Sequence, residues 1–439
     1  MGRSVQLADV HDDTFCFDSN VLSAICKKIG ERKVSLVSVS GPTRSGKSFL
    51  LNFFLGFMNQ KSTGTWLEDQ DDVTERKFHW RGGSERNTTG IWIWDEPFIV
   101  KRPEHQDEIA VLFIDTQGVF DTQASVKENT MLFAFSTLIS SVQIYNLPRM
   151  ISESDLMHLE LFVKYGELAL EGSSASSKPF QNLTFLIRDW SWPRESKYGY
   201  EGGRDYLARC FQERSSPNLT HQHVQQCFDA LTCFLMPHPG FEVTENEQFE
   251  GRLPDIRGEF KTQLKNFVPS LLTPSKLLVK KIAGEEITGR GLFSISKKYA
   301  DAFTTQGMPI PKTIFESTAE FNHQAAVSMV STYYMEEMDK IIDGKNYIPE
   351  PKLESEHRVK KERAFEAFDA YPKMGSRLFG KRYRDSLEER IEKAYANFQE
   401  QNRQRTLGAA VRRTWNNHKS KLYTVAGVAG VVGALLARR

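Results

Sequence analysis

The fold is decided by residues 34–48, VSLVSVSGPTRSGKS. The first seven residues alternate as in a β-strand and lead into the full P-loop pattern, GxxxxGK[ST]. In this pattern backbone N–H groups curl around phosphate oxygens, and the start of the following helix adds a positive dipole. An apolar helix begins at Phe49, so the motif has the strand–loop–helix context that phosphate binding requires. We expect Lys47 to reach the β- and γ-phosphates and the Ser48 hydroxyl to bind Mg²⁺.

Two further short apolar runs, 109–114 and 182–187, have the length of buried strands. Longer helical patterns, 129–142 and 153–171, lie between them. Strands that alternate with helices are typical of an α/β domain. The sequence therefore predicts an α/β P-loop domain with a mostly parallel sheet.

An acidic residue, Asp115, follows the apolar run 111–114 and opens the tetrapeptide DTQG at 115–118. A carboxylate at this point can hold a Mg²⁺-bound water beside the P-loop serine, and the Gly118 N–H can contact a γ-phosphate. The alternative is that Asp115 only caps a helix. Because a P-loop lies upstream, we favour the metal site.

A polar, glycine-rich stretch, RGGSERNTTG at 81–90, separates these two motifs and should form a loop. Switch loops supply a hydroxyl that joins the Mg²⁺ shell only when a γ-phosphate is present. From spacing alone, either Thr88 or Thr89 can supply it.

The common guanine signature, Asn-Lys-x-Asp, is absent from the chain. The run 182–187 instead leads directly into Arg188 and Asp189. A carboxylate there can accept hydrogen bonds from both the N1–H and the exocyclic amine of guanine, which adenine cannot match. The alternative is an arginine–aspartate pair on the surface.

From about Pro309 onward, strand signals give way to long amphipathic runs. One helical face repeats at spacings of four, four, four and three, which predicts a helical bundle of the three-helix type; its residues are Tyr383, Leu387, Ile391, Tyr395 and Phe398. Tyr371, Pro372 and Gly375 interrupt the pattern.

The uncharged run 422–437 lies between basic residues near the C-terminus. As a helix it would be about 24 Å long, against a hydrocarbon core of about 30 Å, so Lys421 and Arg438 would have to snorkel or the bilayer would have to thin. We predict a short membrane segment here; the alternative is a buried C-terminal helix.

Charge and cysteine content exclude several classes of protein. Lys and Arg total 57 and Asp and Glu total 56, so no global field attracts nucleic acid. The five cysteines include no CxxC pair, which argues against a disulfide scaffold or zinc module and favours a reducing compartment. The N-terminus carries no secretory signal, and Gln6 stands where a myristoylation motif needs Ser or Thr.

The order and spacing of five motifs resemble the atlastin family: GPTRSGKSF, RGGSERNTTGI, DTQG, FLIRDW and MPHPG. Atlastins are membrane-anchored GTPases of the dynamin superfamily, related to guanylate-binding proteins. The resemblance covers roughly residues 30–425 and includes FNHQAAVSM at 321–329.

Carried over residue by residue, the resemblance implies the following nucleotide site. The phosphates would be lined by Arg44, Ser45, Gly46, Lys47, Ser48 and Phe49. Mg²⁺ would be held by Ser48 and Asp115, and Thr88 would complete its coordination shell in the triphosphate state. The nucleotide would also contact Gln117, Arg188 and Asp189, and a loop after residues 236–240 would cover the base through Val243 and Asn246.

Arg44 resembles the arginine finger that this family supplies in cis. Many small GTPases orient water with a glutamine directly after the DxxG glycine, but Val119 occupies that position here and cannot do so. The resemblance implies that Arg44 faces solvent without nucleotide and swings inward on dimerisation. The catalytic residues would be Arg44, Lys47 and Thr88.

The expected division of the chain is an N-terminal segment, a GTPase domain, a linker, the bundle, a basic juxtamembrane segment and the membrane segment, at 1–30, 31–276, 277–308, 309–405, 406–421 and 422–437. Atlastins usually follow their bundle with two membrane segments and an amphipathic tail. Because one short segment precedes Arg439 here, we expect either a short form or a truncated sequence.

The resemblance implies a GTP-hydrolysing mechanoenzyme of the endoplasmic reticulum membrane, with its GTPase domain and bundle in the cytosol. GTP would drive homodimerisation through both parts, which would tether and fuse membranes into a tubule network. Its partners would be GTP and GDP, membrane lipid and other tubule-shaping proteins, with no nucleic acid. Two readings stay open: a nucleotide-gated tether or tubule-shaping scaffold without full fusion, and an assembling GTPase like the guanylate-binding proteins.

Overall fold

The computed structural model falls into two compact units, which divide between Asn322 and His323. The residues that it describes are 2–59, 66–67, 78, 89–103, 107–119, 126–152, 155–156, 159, 164, 178, 180–213, 221–246, 248–249, 251–306, 311–342, 347–371 and 380–405. Most of the predicted helical stretch 153–171 and the whole run 422–437 lie outside this part of the chain.

In the described part of the chain, the first unit is built on a nine-stranded mixed sheet in the order β2-β1-β4-β6-β3-β7-β8-β9, with β5 paired to β6. The strands are β1 Ser4–His11, β2 Thr14–Phe17, β3 Lys33–Pro42, β4 Ile91–Trp94, β5 Phe98–Lys101, β6 Glu108–Val119, β7 Val142–Pro148, β8 Phe180–Arg188 and β9 Phe228–Leu235. Strands β6, β3, β7, β8 and β9 are parallel neighbours, whereas β2, β1, β4 and β5 join through antiparallel pairs. This confirms the α/β fold with a mostly parallel central sheet.

The helices of this unit fill the connections and cover the sheet. Those among the described residues include α1 Ser19–Ile29, α2 Lys47–Asn59, α3 Val126–Ile139, α4 Gly199–Glu213, α5 His221–Cys227, α6 Phe241–Thr244, α7 Gly258–Leu272 and α8 Gly289–Gln306, and a small hairpin of β10 Lys281–Ile282 and β11 Glu285–Glu286 precedes α8. A 3₁₀ turn occupies Leu253–Asp255.

Both faces of β3 are buried, as expected for a central parallel strand. Val37 and Val39 join a hydrophobic cluster that includes Phe54 of α2 and Phe267 of α7. The next residue, Ser40, lies on the opposite face because side chains alternate, and its hydroxyl is 3.4 Å from that of Ser136 in α3. The sheet is therefore packed on both faces, which leaves the ends of its strands for a ligand.

Helix α3 ends earlier than the helical pattern 129–142 predicted, since the chain turns at Ser140 and Val142 already begins β7. At this turn the Ser141 hydroxyl pairs with the backbone of Leu36 in β3. It accepts from the Leu36 N–H at 2.8 Å and donates to the Leu36 carbonyl at 3.0 Å. These bonds join residues that are 105 positions apart and fix the start of β7 beside β3.

Residues 277–308 were expected to form a linker, but the described part of this stretch folds as part of the first unit. Its hairpin and α8 belong to the first unit, and α8 packs against α1, α3 and β2. The Phe303 ring lies 5.2 Å from Phe15 and 6.0 Å from Phe135. Apolar residues at helical spacing from Leu292 to Phe303 are buried, and that burial is the physical reason why the segment folds onto the sheet.

The second unit is helical. It contains the later part of α9 Pro311–Ile342, then α10 Glu350–Ala370 and a helix at 380–405, which we call α11. These three helices share one hydrophobic cluster, in which the predicted face of Tyr383, Leu387, Ile391 and Phe398 is buried and Tyr395 packs against it. Helix α10 ends directly before Tyr371, as the interruption in the sequence indicated. Among the described residues no helix has the length and apolarity needed to cross a bilayer.

Candidate nucleotide-binding site

The carboxyl ends of the parallel strands bring the predicted motifs to one edge of the sheet. Strand β3 leads into the P-loop, β6 carries Asp115, and β8 ends at Arg188. Strand β9 lies beside β8 and leads into the segment 236–249. In open α/β sheets this edge is where ligands bind.

The P-loop begins and ends in backbone conformations that few residues adopt. Gly41 has a φ of 153°, and a Cβ there would lie 2.0 Å from the Asn146 carbonyl oxygen. Gly46 has a φ of 73°. Arg44 is not a glycine, yet its φ is 64° and its side chain is exposed. The loop thus holds an arginine in the left-handed region at the edge of the site.

Lys47, the first residue of α2, is buried and its ammonium turns back over the loop. The Nζ donates to the carbonyls of Gly41 at 3.1 Å and Pro42 at 2.9 Å. A buried cation at the start of a helix that follows a glycine-containing loop is an arrangement that binds phosphate.

Ser48 and Asp115 form the second part of the site. The Ser48 hydroxyl donates to Asp115 Oδ2 at 2.5 Å. Burial raises the pKa of Asp115 to about 6, against the opposing effects of the Lys47 charge and the Ser48 hydrogen bond. The other carboxylate oxygen, Oδ1, is buried and accepts no hydrogen bond from a described residue.

This hydroxyl–carboxylate pair fits a hard divalent cation such as Mg²⁺. Mg²⁺ prefers oxygen ligands and keeps several waters, and the unpartnered Oδ1 is an acceptor available for such a water. A bound cation would also remove the cost of burying the charge on Asp115.

The end of β8 does not present a surface ion pair, so that alternative for Arg188 and Asp189 is wrong. Arg188 is buried, its guanidinium lies 5.2 Å from the centre of the Phe260 ring, and its Nη1 donates to the Ser45 carbonyl at 3.3 Å. Burial lowers the pKa of Arg188, partly offset by the charge of Asp189. Asp189 is half-buried and has a φ of 59°.

Three other residues were expected to contact the nucleotide, and each has a different environment: Phe49, Val243 and Asn246. The Phe49 ring packs into the core, 5.0 Å from Phe53 and 6.2 Å from Phe249, so only its backbone can serve phosphate. Val243 lies in α6 and packs against the same core. Asn246 is exposed, and its Oδ1 accepts from the Gln248 N–H at 2.9 Å.

Two predicted residues lie wholly or partly outside the described part of the chain. Thr88 lies outside the described residues, whereas the neighbouring Thr89 uses its carbonyl to accept from the Trp92 indole at 2.7 Å. Gln117 is described only by its backbone in β6, where the next residue, Gly118, is the register partner of Gly41. The DTQG motif therefore lies directly beside the start of the P-loop.

Sequence reasoning missed two residues that complete this edge. Asn146 is buried near the end of β7 and donates to the Ser45 carbonyl at 2.8 Å. Its place after Val142, Ile144 and Tyr145, which favour a strand, was a usable signal, because β7 ends at the same edge. Phe260, which supports Arg188, is distant in sequence and gave no signal.

Nearly the whole chain is similar to known proteins. Residues 12–281 match the family described as guanylate-binding protein, N-terminal domain. The chain is similar to Atlastin-2 of Homo sapiens, with 41% identity over 440 residues that cover 98% of this chain and 75% of that protein. It is also similar to Atlastin-3 of Homo sapiens, with 40% identity over 443 residues (98% and 81%), and to Atlastin of Drosophila melanogaster, with 39% identity over 446 residues (98% and 82%).

Proposed function

The chain belongs to the atlastin family and is a GTPase, and from this premise we propose that its GTP hydrolysis drives the tethering and fusion of endoplasmic reticulum membranes into a tubule network. The observation that carries the nucleotide part of this proposal is the cluster of buried Lys47 and Asp115 with half-buried Ser48 beside the P-loop. This cluster has the charge and the oxygen ligands that a nucleoside triphosphate with Mg²⁺ needs.

The phosphate and metal roles are assigned as follows. Ser45, Gly46 and the backbone of Phe49 line the phosphates, and Lys47 neutralises the β- and γ-oxygens. Ser48 and Asp115 would hold Mg²⁺, with Thr88 added in the triphosphate state. When bound there, the ion would supply positive charge beside the phosphoryl oxygens.

Arg44 supplies the charge that the reaction itself requires. Its exposed side chain leaves the P-loop from a left-handed backbone, so it can turn toward the phosphates without unfolding the loop. A guanidinium that reaches the phosphates only in the transition state raises turnover more than affinity.

The base is recognised at the ends of β8 and β9. The half-buried Asp189 carboxylate accepts from guanine, and Arg188 and Gln117 complete the nucleotide contacts. Val243 and Asn246 belong to the segment that covers the base. The Trp190 N–H donates to the Met236 carbonyl at 3.0 Å, which ties this segment to the end of β8.

Two copies pair through this edge of the GTPase domain. Three large apolar side chains follow three adjacent strands here and are exposed, by 46% for Met150, 39% for Trp192 and 71% for Phe241. Exposed apolar groups around a nucleotide site are typical of a protein contact surface. The helical bundle adds a second contact between the two copies.

The membrane is reached through residues 422–437, with the GTPase domain and bundle in the cytosol. Arg438 and Lys421 flank this uncharged run and suit the two interfaces of a bilayer. The family name of the relatives and this run support an endoplasmic reticulum membrane location.

The second candidate is a nucleotide-gated tether without full fusion, favoured by the shortness of the run 422–437. The test reconstitutes the full chain into vesicles with fluorescent lipids and adds GTP. Fusion predicts that lipids mix, a tether predicts clustering without mixing, and an assembling GTPase without membrane activity predicts neither. Absence of mixing would contradict the proposal.

A further inference from the structure

Asn146 lies in direct contact with the P-loop. Strand β7 is parallel to β3, and Tyr145 is the register partner of Ser40, so Asn146 lies beside Gly41. A Cβ at Gly41 would be only 2.0 Å from the Asn146 carbonyl oxygen. The start of the loop therefore rests on the backbone of this residue, with no room for a side chain between them.

The side chain of Asn146 binds further along the loop. Its Nδ2 donates to the Ser45 carbonyl at 2.8 Å and lies 3.1 Å from the Ser45 hydroxyl oxygen. Ser45 also closes a turn, since its N–H and its hydroxyl donate to the Pro42 carbonyl at 3.3 Å and 2.8 Å. Ser45 is thus fixed from two sides.

Arg44 occupies that turn in a left-handed conformation, which L side chains rarely adopt. Such a conformation persists only when its surroundings hold it. We propose that Asn146 is a positioning residue that, by holding Ser45, fixes the turn and aims Arg44 for GTP hydrolysis. This inference rests on the proposed catalytic role of Arg44.

The chemistry of the contact requires a donor at this position. The Ser45 carbonyl accepts from Asn146 and, at 3.3 Å, from Arg188 Nη1. The Asn146 Oδ1 is buried and accepts no hydrogen bond from a described residue. A buried amide with an unused acceptor costs stability, so its donor half is the part that the site needs.

The test compares two changes in the full chain: Asn146→Asp keeps the side-chain shape, removes the donor and adds a charge, and Asn146→Ala removes the donor without a charge. Phosphate and base contacts remain, so we expect kcat to fall by about tenfold or more while the GDP Kd stays within about threefold. Labelled GDP measures the affinity and phosphate release measures kcat. Turnover within about threefold of the parent, or equal losses in kcat and affinity, would overturn the inference.

A double-mutant cycle separates positioning from a general structural role. If Asn146 acts through Arg44, Asn146→Asp should lower kcat by less than about twofold in a chain that already carries Arg44→Ala. A full additional loss there would overturn the inference. If Arg44→Ala alone keeps parental turnover, the proposed role of Arg44 fails; if only Asn146→Asp keeps it, the inference about Asn146 fails by itself.

Gln181→Glu is the matched control, because it also removes a buried amide donor from a backbone carbonyl. The Gln181 Nε2 donates to the Val279 carbonyl at 2.7 Å, and Gln181 lies near the start of β8, at the end of the sheet opposite the P-loop. We expect this variant to lose stability but to keep the parental kcat. If Asn146→Asp does not fold, Asn146→Ala carries the same prediction without adding a charge.

Discussion

Arg44 is the residue on which the catalytic account depends. We expect Arg44→Ala to lower GTP turnover by about 10²-fold or more and to change GDP affinity little, because the charge acts on the transition state. Single-turnover phosphate release and GDP titration measure the two quantities.

The matched control for this change is Arg290→Ala. Arg290 is also exposed, but it lies in α8 beside the start of β3, at the end of that strand opposite the P-loop. Turnover of Arg290→Ala should stay within about threefold of the parent. Unchanged single-turnover hydrolysis in Arg44→Ala would contradict the assignment.

Asp115 gives a pH-dependent prediction. Its pKa in the folded chain, about 6, lies above the ordinary 3.8, so the nucleotide-free protein is stabilised as pH falls from 6 toward 4 and carries the full cost of the buried charge above pH 6. Asp115→Asn should therefore raise the free energy of unfolding without nucleotide at pH 7, by at most about 3 kcal/mol.

The same substitution should remove the Mg²⁺-dependent gain in nucleotide affinity, because an amide is a weaker ligand than a carboxylate. Thermal unfolding at pH 7 and pH 4.5, with and without Mg²⁺ and GDP, measures both effects. A stability gain that is as large at pH 4.5 as at pH 7 would show that ionisation of Asp115 is not its cause.

At the scale of the elements, α8 is part of the core of the first unit. Phe303 is fully buried between Phe15 and Phe135. Phe303→Ala should lower the free energy of unfolding by about 3 to 5 kcal/mol, since it opens a cavity in a packed core. Urea unfolding of the nucleotide-free chain measures this loss.

Phe241→Ala provides the control for the same chemical change at an exposed ring. Its effect on unfolding should stay within about 0.5 kcal/mol. Equal effects of the two substitutions would mean that α8 is not held by its core contacts.

Sequence patterns predicted the elements that are punctuated by strong local signals. The alternation in 34–40, the P-loop and the apolar face of α11 each fixed an element together with its buried side. The pattern could not place residues 277–308, because the amphipathic face of α8 is buried only by elements far away in sequence, near Phe15 and Phe135.

The residues of the candidate site were likewise predictable where a local pattern marks them, and not where distant contacts place them. Lys47, Ser48 and Asp115 were predictable because a P-loop and an acidic residue after a strand must meet at one edge of a parallel sheet. Phe260 could not be found, since nothing in α7 indicates that a ring supports Arg188. The core position of the Phe49 side chain was likewise hidden, because the P-loop pattern describes only the backbone there.

At the scale of the whole molecule, membrane attachment depends on the run 422–437. Val428→Asp places a charge near its middle, at a cost of about 2.5 to 3.5 kcal/mol if the segment is in the bilayer. We expect much less of the chain to float with liposomes. Val359→Asp, on an exposed position of α10, is the control and should float like the parent. Equal flotation of the two variants would contradict the membrane role of this run.

The central claim is that the nucleotide state of the sheet edge controls the pairing of two copies. The most direct test is sedimentation of the full chain in detergent with GDP, with a GTP analogue, and with GDP and aluminium fluoride. We expect a monomer with GDP and a dimer in the other two states, and Arg44→Ala should weaken the aluminium fluoride dimer. A monomer in every state, with nucleotide binding confirmed, would contradict the claim.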